Sequence, residues 1–404
     1  MAKKDLEKSF WKSLIKIFMS KEQKVNKRKK QMVSIIGVRG YPSDVSGKSG
    51  VEVYVENIVR ELIKAKPFLR LLLYTKSKYQ KDKIYSKRIL LRRVYTIESK
   101  VFETIIYGFL SSFFSIFDKS HTVWYQGIGV ATFAFLPSLF GKKIVVTIHG
   151  FDWERKKWSV TERVFFRRMA KFVFAKRYAF ISVSKKMQKE LKDIFGLDSQ
   201  CLTPGLPTKI RPHNASKYLG DYGLEKRGYW LHVGRLVPEK RVEWLIEAFP
   251  KIMERGGAKR LVIVGMHGNL PEYEKELKRR YRNGPIVWTG YVPEEAKQAL
   301  LANCMCFVLT SEVEGGSPIS LLEALSFANY CIVPTISVDK SFSSLGNVFF
   351  FEGKSKVSFE NVMVKTISAL SKKARYQYTA KEKSFLRKSS WKDSALKYQD
   401  IFYG

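Results

Sequence analysis

Acids are scarce in this chain, metal-binding side chains scarcer, and long apolar runs are missing. Its 404 residues hold 37 Asp and Glu against 73 Lys and Arg, with five histidines and four cysteines. Cys201, Cys304, Cys306 and Cys331 form no CxxC pair and have no histidines at ligand spacing. This excludes a zinc ribbon and a disulfide framework, and fits a reducing, cytoplasmic compartment. No Asp-x-Asp pair occurs, so the usual carboxylate seat for a divalent ion beside a diphosphate is missing, and no catalytic metal is expected. Nor does any window reach the roughly 20 apolar residues that cross a bilayer. Val101 to Phe117 comes nearest, but it contains Glu103 and runs into Asp118-Lys119, which reads as a buried core helix. A peripheral rather than integral protein is expected.

What is present is a globular composition with extreme charge. Hydrophobic residues at 45% and aromatics at 14% exclude a disordered chain, and the length suggests two cores. The net charge of +36 is concentrated: residues 1–31 hold eleven Lys/Arg against three acids, and residues 155–189 twelve against one. Such blocks attract a polyanion, either nucleic acid or an anionic membrane. In the first block Leu6, Phe10, Leu14 and Phe18 follow one helical row, extended by Trp11, Ile15 and Met19, with Lys8, Lys12 and Lys16 on another side. That is the pattern of a helix lying in a lipid interface; a solvated tail or a helix docked on the second domain remains an alternative. Beside the second block, Trp153 and Trp158 suit stacking on a sugar or a lipid interface, and Thr161 to Lys176 is a basic helix with Phe165, Phe166, Met169, Phe172 and Val173. No nucleic-acid reader motif accompanies the charge, so a nucleic-acid-binding protein is the competing class.

Apolar runs at Met32–Val38, Leu69–Tyr74, Leu90–Thr96, Thr122–Gln126, Ile144–Ile148 and Ala179–Val183 alternate with helical patterns. After a polar, basic stretch the alternation resumes at Tyr229–Val233, Arg260–Val264, Pro285–Trp288, Cys304–Leu309 and Tyr330–Val333. The expectation is α/β: two Rossmann-like doubly wound domains, residues 32–205 and 228–388, with a linker over 206–227 and a C-terminal helix, 389–404, crossing back to the first domain. A ligand cleft between the domains should face the carboxyl ends of both sets of strands.

The glycine turn Ser311-Glu-Val-Glu-Gly-Gly-Ser-Pro318 opens an apolar helix and aims backbone N–H groups at an anion, which reads as a diphosphate cradle. Gly315, Gly316, Ser317 and Pro318 would form it, and Glu323, in the first turns of the helix, would hold vicinal hydroxyls such as those of a ribose. Upstream stand Gly234-Arg-Leu-Val-Pro-Glu-Lys240, Ile263-Val-Gly265 and Thr289-Gly-Tyr-Val292. In this order these motifs resemble the donor-phosphate half of family 4 glycosyltransferases, which have the two-domain GT-B fold. Gly37-Val-Arg-Gly-Tyr-Pro42 with Ser49-Gly-Val-Glu52 resembles the opening of a bacterial and archaeal subgroup with rhamnosyl- and galactosyltransferase-type members. The resemblance covers about residues 32–402 and, as an ordered set, is more specific than any one motif.

The resemblance implies a retaining, metal-independent hexosyl transfer from a nucleotide diphosphate sugar to a lipid-linked or polysaccharide acceptor, with no cofactor. Leaving diphosphate needs fixed cations, a role suited to Arg235 and Lys240. By the same resemblance Gly265 belongs to the donor site, Tyr291 and Val292 line the base, and His149 serves the sugar near its anomeric carbon. Gly40 and Gly50 bracket a first loop that closes over diphosphate or acceptor, with Arg39, Trp153 and Trp158 facing acceptor or membrane. Two departures stand out. Ser49 replaces a glycine beside a Ser-Gly-Lys insertion, and eight residues separate Glu314 from Glu323 where the family has seven. Glu314 would contact hydroxyls of the transferred sugar, with Glu312 as the secondary alternative, and a GT-B scaffold without catalysis is a third class.

Overall fold

Apolar strands alternating with amphipathic helices build two sheets. The computed structural model describes residues 32–403 except 47–48, 81–83, 98, 100–101, 155–158, 208–211, 213, 267–269 and 371–375. The basic segment 1–31 and Trp158 therefore lie outside the described residues.

The first sheet contains β1 (Met32–Ile36), β2 (Arg70–Lys76), β3 (Ile84–Ser86), β4 (Ile89–Val94), β5 (Thr122–Gln126), β6 (Lys143–Ile148), β7 (Ala179–Ser182) and β8 (Gln200–Cys201). Their order is β3-β4-β2-β1-β5-β6-β7-β8, and only β3 runs antiparallel to its neighbour. Helices α1 (Gly50–Ala65) and α14 (Trp391–Tyr403) cover one face of this sheet. The other is covered by α2 (Phe102–Ile116), α3 (Ile128–Ala131), α4 (Phe135–Leu139), α5 (Val160–Phe174) and α6 (Lys185–Phe195). Central strands such as β5 are buried throughout, which is why they read as unbroken apolar runs.

In the second sheet β9 (Tyr229–Val233), β10 (Arg260–Val264), β11 (Ile286–Gly290), β12 (Cys306–Val308), β13 (Tyr330–Pro334) and β14 (Val348–Phe351) lie parallel in the order β11-β10-β9-β12-β13-β14. One face carries α7 (Ala215–Asp221), α10 (Glu294–Asn303), α11 (Ile319–Ser326) and α13 (Ala380–Arg387); the other carries α8 (Val242–Glu254) and α12 (Lys356–Leu370). α9 (Pro271–Arg280) links β10 to β11.

Three expectations change. The linker is shorter than 206–227, because α7 lies inside that range and Leu219 and Leu224 are buried in the second core. The edge strands β3 and β14 were not anticipated. And α2 is only half a core helix: Tyr107 is fully buried, accepting a hydrogen bond from the Gly37 N–H (3.0 Å) and donating to the Tyr74 carbonyl (2.6 Å), while Phe102, Phe109, Phe113 and Phe117 face outward.

The chain crosses back at its end. In α14, Trp391, Tyr398 and Phe402 enter the first domain's core, and the Tyr398 hydroxyl bonds Thr147 Oγ1 (2.6 Å) and Tyr54 Oη (3.1 Å). A Cβ on Gly205 would lie 2.2 Å from the Trp391 nitrogen, so this crossing requires glycine.

Candidate active site

In each sheet the chain leaves a central strand in opposite directions. β1 lies between β2 and β5, and β9 between β10 and β12. The crevice outside the carboxyl ends at such a reversal is where doubly wound sheets bind ligands. Gly37 to Gly40 follow β1, His149 follows β6, Gly234 and Arg235 follow β9, Gly265 follows β10, Tyr291 and Val292 follow β11, and the glycine turn follows β12. The domains touch at this turn. A Cβ on Gly315 would come within 2.5 Å of the His149 carbonyl oxygen, and one on Gly316, at φ +89°, within 2.2 Å of Ser184 Oγ.

On the second-domain side Lys240 and Glu314 form an ion pair, each largely buried. Lys240 ends the 3-10 turn Pro238–Lys240, whose carbonyl accepts from Thr310 Oγ1 at 2.6 Å, tying it to the segment after β12. Glu312 instead pairs with Arg241 at 2.8 Å, so between the two acids it is Glu314 that meets the cation of the phosphate motif. Arg235 is exposed on the neighbouring loop. A Cβ on Gly265, at φ +147°, would fall 1.8 Å from the Gly234 carbonyl oxygen, so the two loops meet only because residue 265 is glycine. Ser317 and Pro318 are buried where α11 begins, and Tyr291 is exposed above buried Val292.

Two residues here had no motif to announce them. Lys297 on α10 donates to Glu323 Oε1 at 2.6 Å and also pairs with Glu294 at 3.1 Å. Burial lowers the Lys297 ammonium, but the two carboxylates outweigh it and the net shift is upward. His232 is fully buried beneath the reversal, its Nδ1 3.0 Å from the Val308 carbonyl and its Nε2 without a hydrogen-bond partner among the described residues. Burial pushes its imidazolium down to about 4, so it is neutral at pH 7.

On the first-domain side His149 Nε2 lies 2.9 Å from Gln126 Oε1, and its ring meets Tyr54 edge-on at 5.0 Å. Arg39 is oriented by Glu52, whose Oε1 accepts from both the Arg39 backbone N–H (3.1 Å) and Nε (3.2 Å). Among the described residues a Cβ on Gly50 would meet nothing within 4 Å, and Gly50 itself is exposed. Gly40 is buried behind it. Trp153 is half-buried: Phe151 stacks on one of its faces at 4.8 Å and Phe195 meets it at 5.6 Å, so part of the ring is used in packing.

Comparison with known sequences gives the same two halves. The pattern described as Glycosyltransferase Family 4 matches residues 48–204, and that described as Glycosyl transferases group 1 matches residues 227–364. The chain belongs to the family 4 glycosyltransferases. An O-antigen chain mannosyltransferase B of Escherichia coli is 34% identical over 128 residues, covering 31% of this chain and 32% of that protein. This chain thus spans about a third of the length of that relative and of a similar glycogen synthase from Hydrogenovibrio crunogenus, where the match covers 36%. Among solved structures, sucrose-phosphate synthase from Thermosynechococcus elongatus shares the fold with TM-score 0.68 at 15% identity, covering 92% of this chain and 95% of that one. The Anabaena protein HepE, solved with UDP-glucose, gives TM-score 0.65 at 14% identity, covering 92% and 97%. The family 4 chain described here therefore has the GT-B fold.

Proposed function

We propose that this family 4 protein transfers a hexose from a nucleotide diphosphate sugar to a lipid-linked or glycan acceptor. It does so with retention and without a metal, at the cytoplasmic face of a membrane. The observation that carries this reading is the Lys240–Glu314 pair beside Arg235 at the second reversal, facing His149 across the glycine turn.

In the reaction the bond between the anomeric carbon and the β-phosphate oxygen breaks, and a bond from that carbon to an acceptor oxygen forms. The acceptor proton passes to the departing diphosphate. Negative charge grows on that diphosphate, so Arg235, Lys240 and the N–H groups of Gly315 and Gly316 stabilise the transition state more than the ground state. Phosphate replaces Glu314 as the partner of Lys240, and the freed carboxylate turns to the sugar hydroxyls. Glu323, held by Lys297, takes the ribose hydroxyls. His149, braced by Gln126, lies near the anomeric carbon. No carboxylate is assigned as a nucleophile, so attack on the same face as the leaving diphosphate is the reading.

The test is a transfer assay over UDP-, dTDP- and GDP-sugars, with and without EDTA, and the product's anomeric configuration read by NMR. Transfer with retention, unaffected by EDTA, is expected. An inverted product or a metal requirement overturns the mechanism; no turnover of any sugar returns the chain to a scaffold.

A further inference from the structure

A helix layer buries one stripe against its sheet and leaves polar residues outside. The layer α2–α5 departs from this. Phe102, Phe109 and Phe113 on α2 and Phe117 just past its end are spaced by seven, four and four residues and form one outward row, Phe102 and Phe117 being 62% and 63% exposed. The row continues across the layer: Phe109 meets Phe133 at 5.6 Å, and Phe135 meets Phe172 of α5 at 6.0 Å. Leu139, at the end of α4, is 74% exposed. An apolar strip this extended on a single face marks an interaction surface.

The charge beside the strip says what covers it. Residues 159–177 contain one acid, Glu162, and it is held by Ser159 in a capping box. Arg167, Arg168, Lys171 and Arg177 are exposed on the same segment. Between α4 and the end of α5 lies a cavity of about 270 Å³ whose lining is Phe135, Leu139 and Phe172 with Ser138, Tyr178, Lys176 and Arg177. An apolar wall beside two hydroxyls and two cations suits a phosphate headgroup whose chains continue into an apolar layer. A second copy of the chain, or its own basic residues 1–31, would set cations against cations.

We propose that the outer face of α2, α4 and α5 docks on a bilayer containing anionic phospholipid, with the cavity beside Lys176 and Arg177 receiving one phosphate headgroup. Phenylalanines enter the lipid interface while the arginines and lysines meet phosphates around them. α2 follows β4, so Phe102 stands at the carboxyl-end side of the first sheet and docking holds the rim of the cleft against the lipid surface. This deepens the membrane reading above and rests on it for the source of the acceptor; its failure leaves the donor chemistry standing.

The test uses the full chain with an environment-sensitive fluorophore on Phe117→Cys or Leu139→Cys, and on Lys275→Cys of the second domain as reference. Vesicles of phosphatidylcholine alone, or mixed with phosphatidylglycerol, are then added. Blue-shifted emission with a several-fold rise at 117 and 139, absent at 275 and absent with phosphatidylcholine alone, is expected. The double variant Lys176→Ser/Arg177→Ser should weaken the response several-fold while nucleotide-sugar hydrolysis is unchanged. No shift at 117 and 139, equal shifts at all three sites, or a shift present before vesicles are added overturns the proposal. In the last case residues 1–31 or a second copy cover the face.

Discussion

At the second domain's strand reversal the charged groups stand in short pairs, Lys240 with Glu314, Arg241 with Glu312 and Lys297 with Glu323. On the outer face of the first domain Arg167, Arg168, Lys171 and Arg177 reach solvent beside exposed phenylalanines. The contrast matches two kinds of recognition. A small dianion needs cations held at fixed positions, and a carboxylate partner keeps a cation in place until phosphate replaces it. An extended surface is met by distributed charge, each contact weak and screened by salt. The sharpest way to break the contrast is to remove a cation from each side. Lys240→Ala should lower kcat/KM by roughly 10²–10³-fold, about 3–4 kcal/mol of transition-state binding, whereas Arg167→Ala should leave hydrolysis of a soluble donor within about twofold. Steady-state kinetics on a soluble nucleotide sugar decides, and near wild-type turnover of Lys240→Ala would remove the pair from the mechanism.

His232 makes the same core sensitive to acid. Burial depresses its pKa from 6.5 to about 4, so between those values the unfolded chain binds a proton that the folded one does not. Stability is therefore present above pH 6.5 and falls as the pH drops towards 4, by about 3 kcal/mol from this group alone. Denaturant unfolding of wild type and His232→Gln at pH 7.5 and 4.5 should show a shallower loss in the variant. Equal losses would mean that the imidazole is already protonated in the fold.

The second-domain half of the candidate site was the more legible in the sequence because its parts are backbone motifs. Gly265, Gly315 and Gly316 are glycine for reasons of close approach, and such residues punctuate a sequence visibly. The strand runs were equally readable, since parallel strands buried on both faces are continuously apolar. Pairings were not. Nothing about Lys297 distinguishes it among 73 basic residues until α10 and α11 are brought together. The choice between Glu312 and Glu314 likewise needed Arg241, which lies at φ +46° before α8 and reaches back to Glu312. In the first domain, apolar spacing announced α2 but could not say that the helix has a second, outward stripe.

Lys297 tests how far fixed pairing matters for the ribose. Lys297→Met leaves Glu323 buried without its ammonium, and the donor KM should rise about tenfold, near 1.4 kcal/mol, with a smaller change in kcat. Lys297→Arg should recover most of it. A loss of kcat with unchanged KM would place Lys297 in the chemical step instead. Thermal unfolding of both variants separates this from a general loss of fold, because an unpaired buried carboxylate also destabilises.

Trp153 is the mildest probe, and it asks whether the first domain's aromatics belong to packing or to ligand. Phe151 lies against the Trp153 ring at 4.8 Å with the planes 19° apart, and Phe195 adds an edge contact, so phenylalanine in its place keeps an apolar ring in the cluster. Trp153→Phe should change stability by no more than about 1 kcal/mol and leave the acceptor KM unaltered. An indole that stacks on the acceptor sugar would behave otherwise, since the smaller ring offers less area and the KM would climb while the melting temperature held. Acceptor titrations at saturating donor separate the outcomes. A raised acceptor KM would give the first domain a fixed, ring-built recognition site and narrow the difference between the two halves.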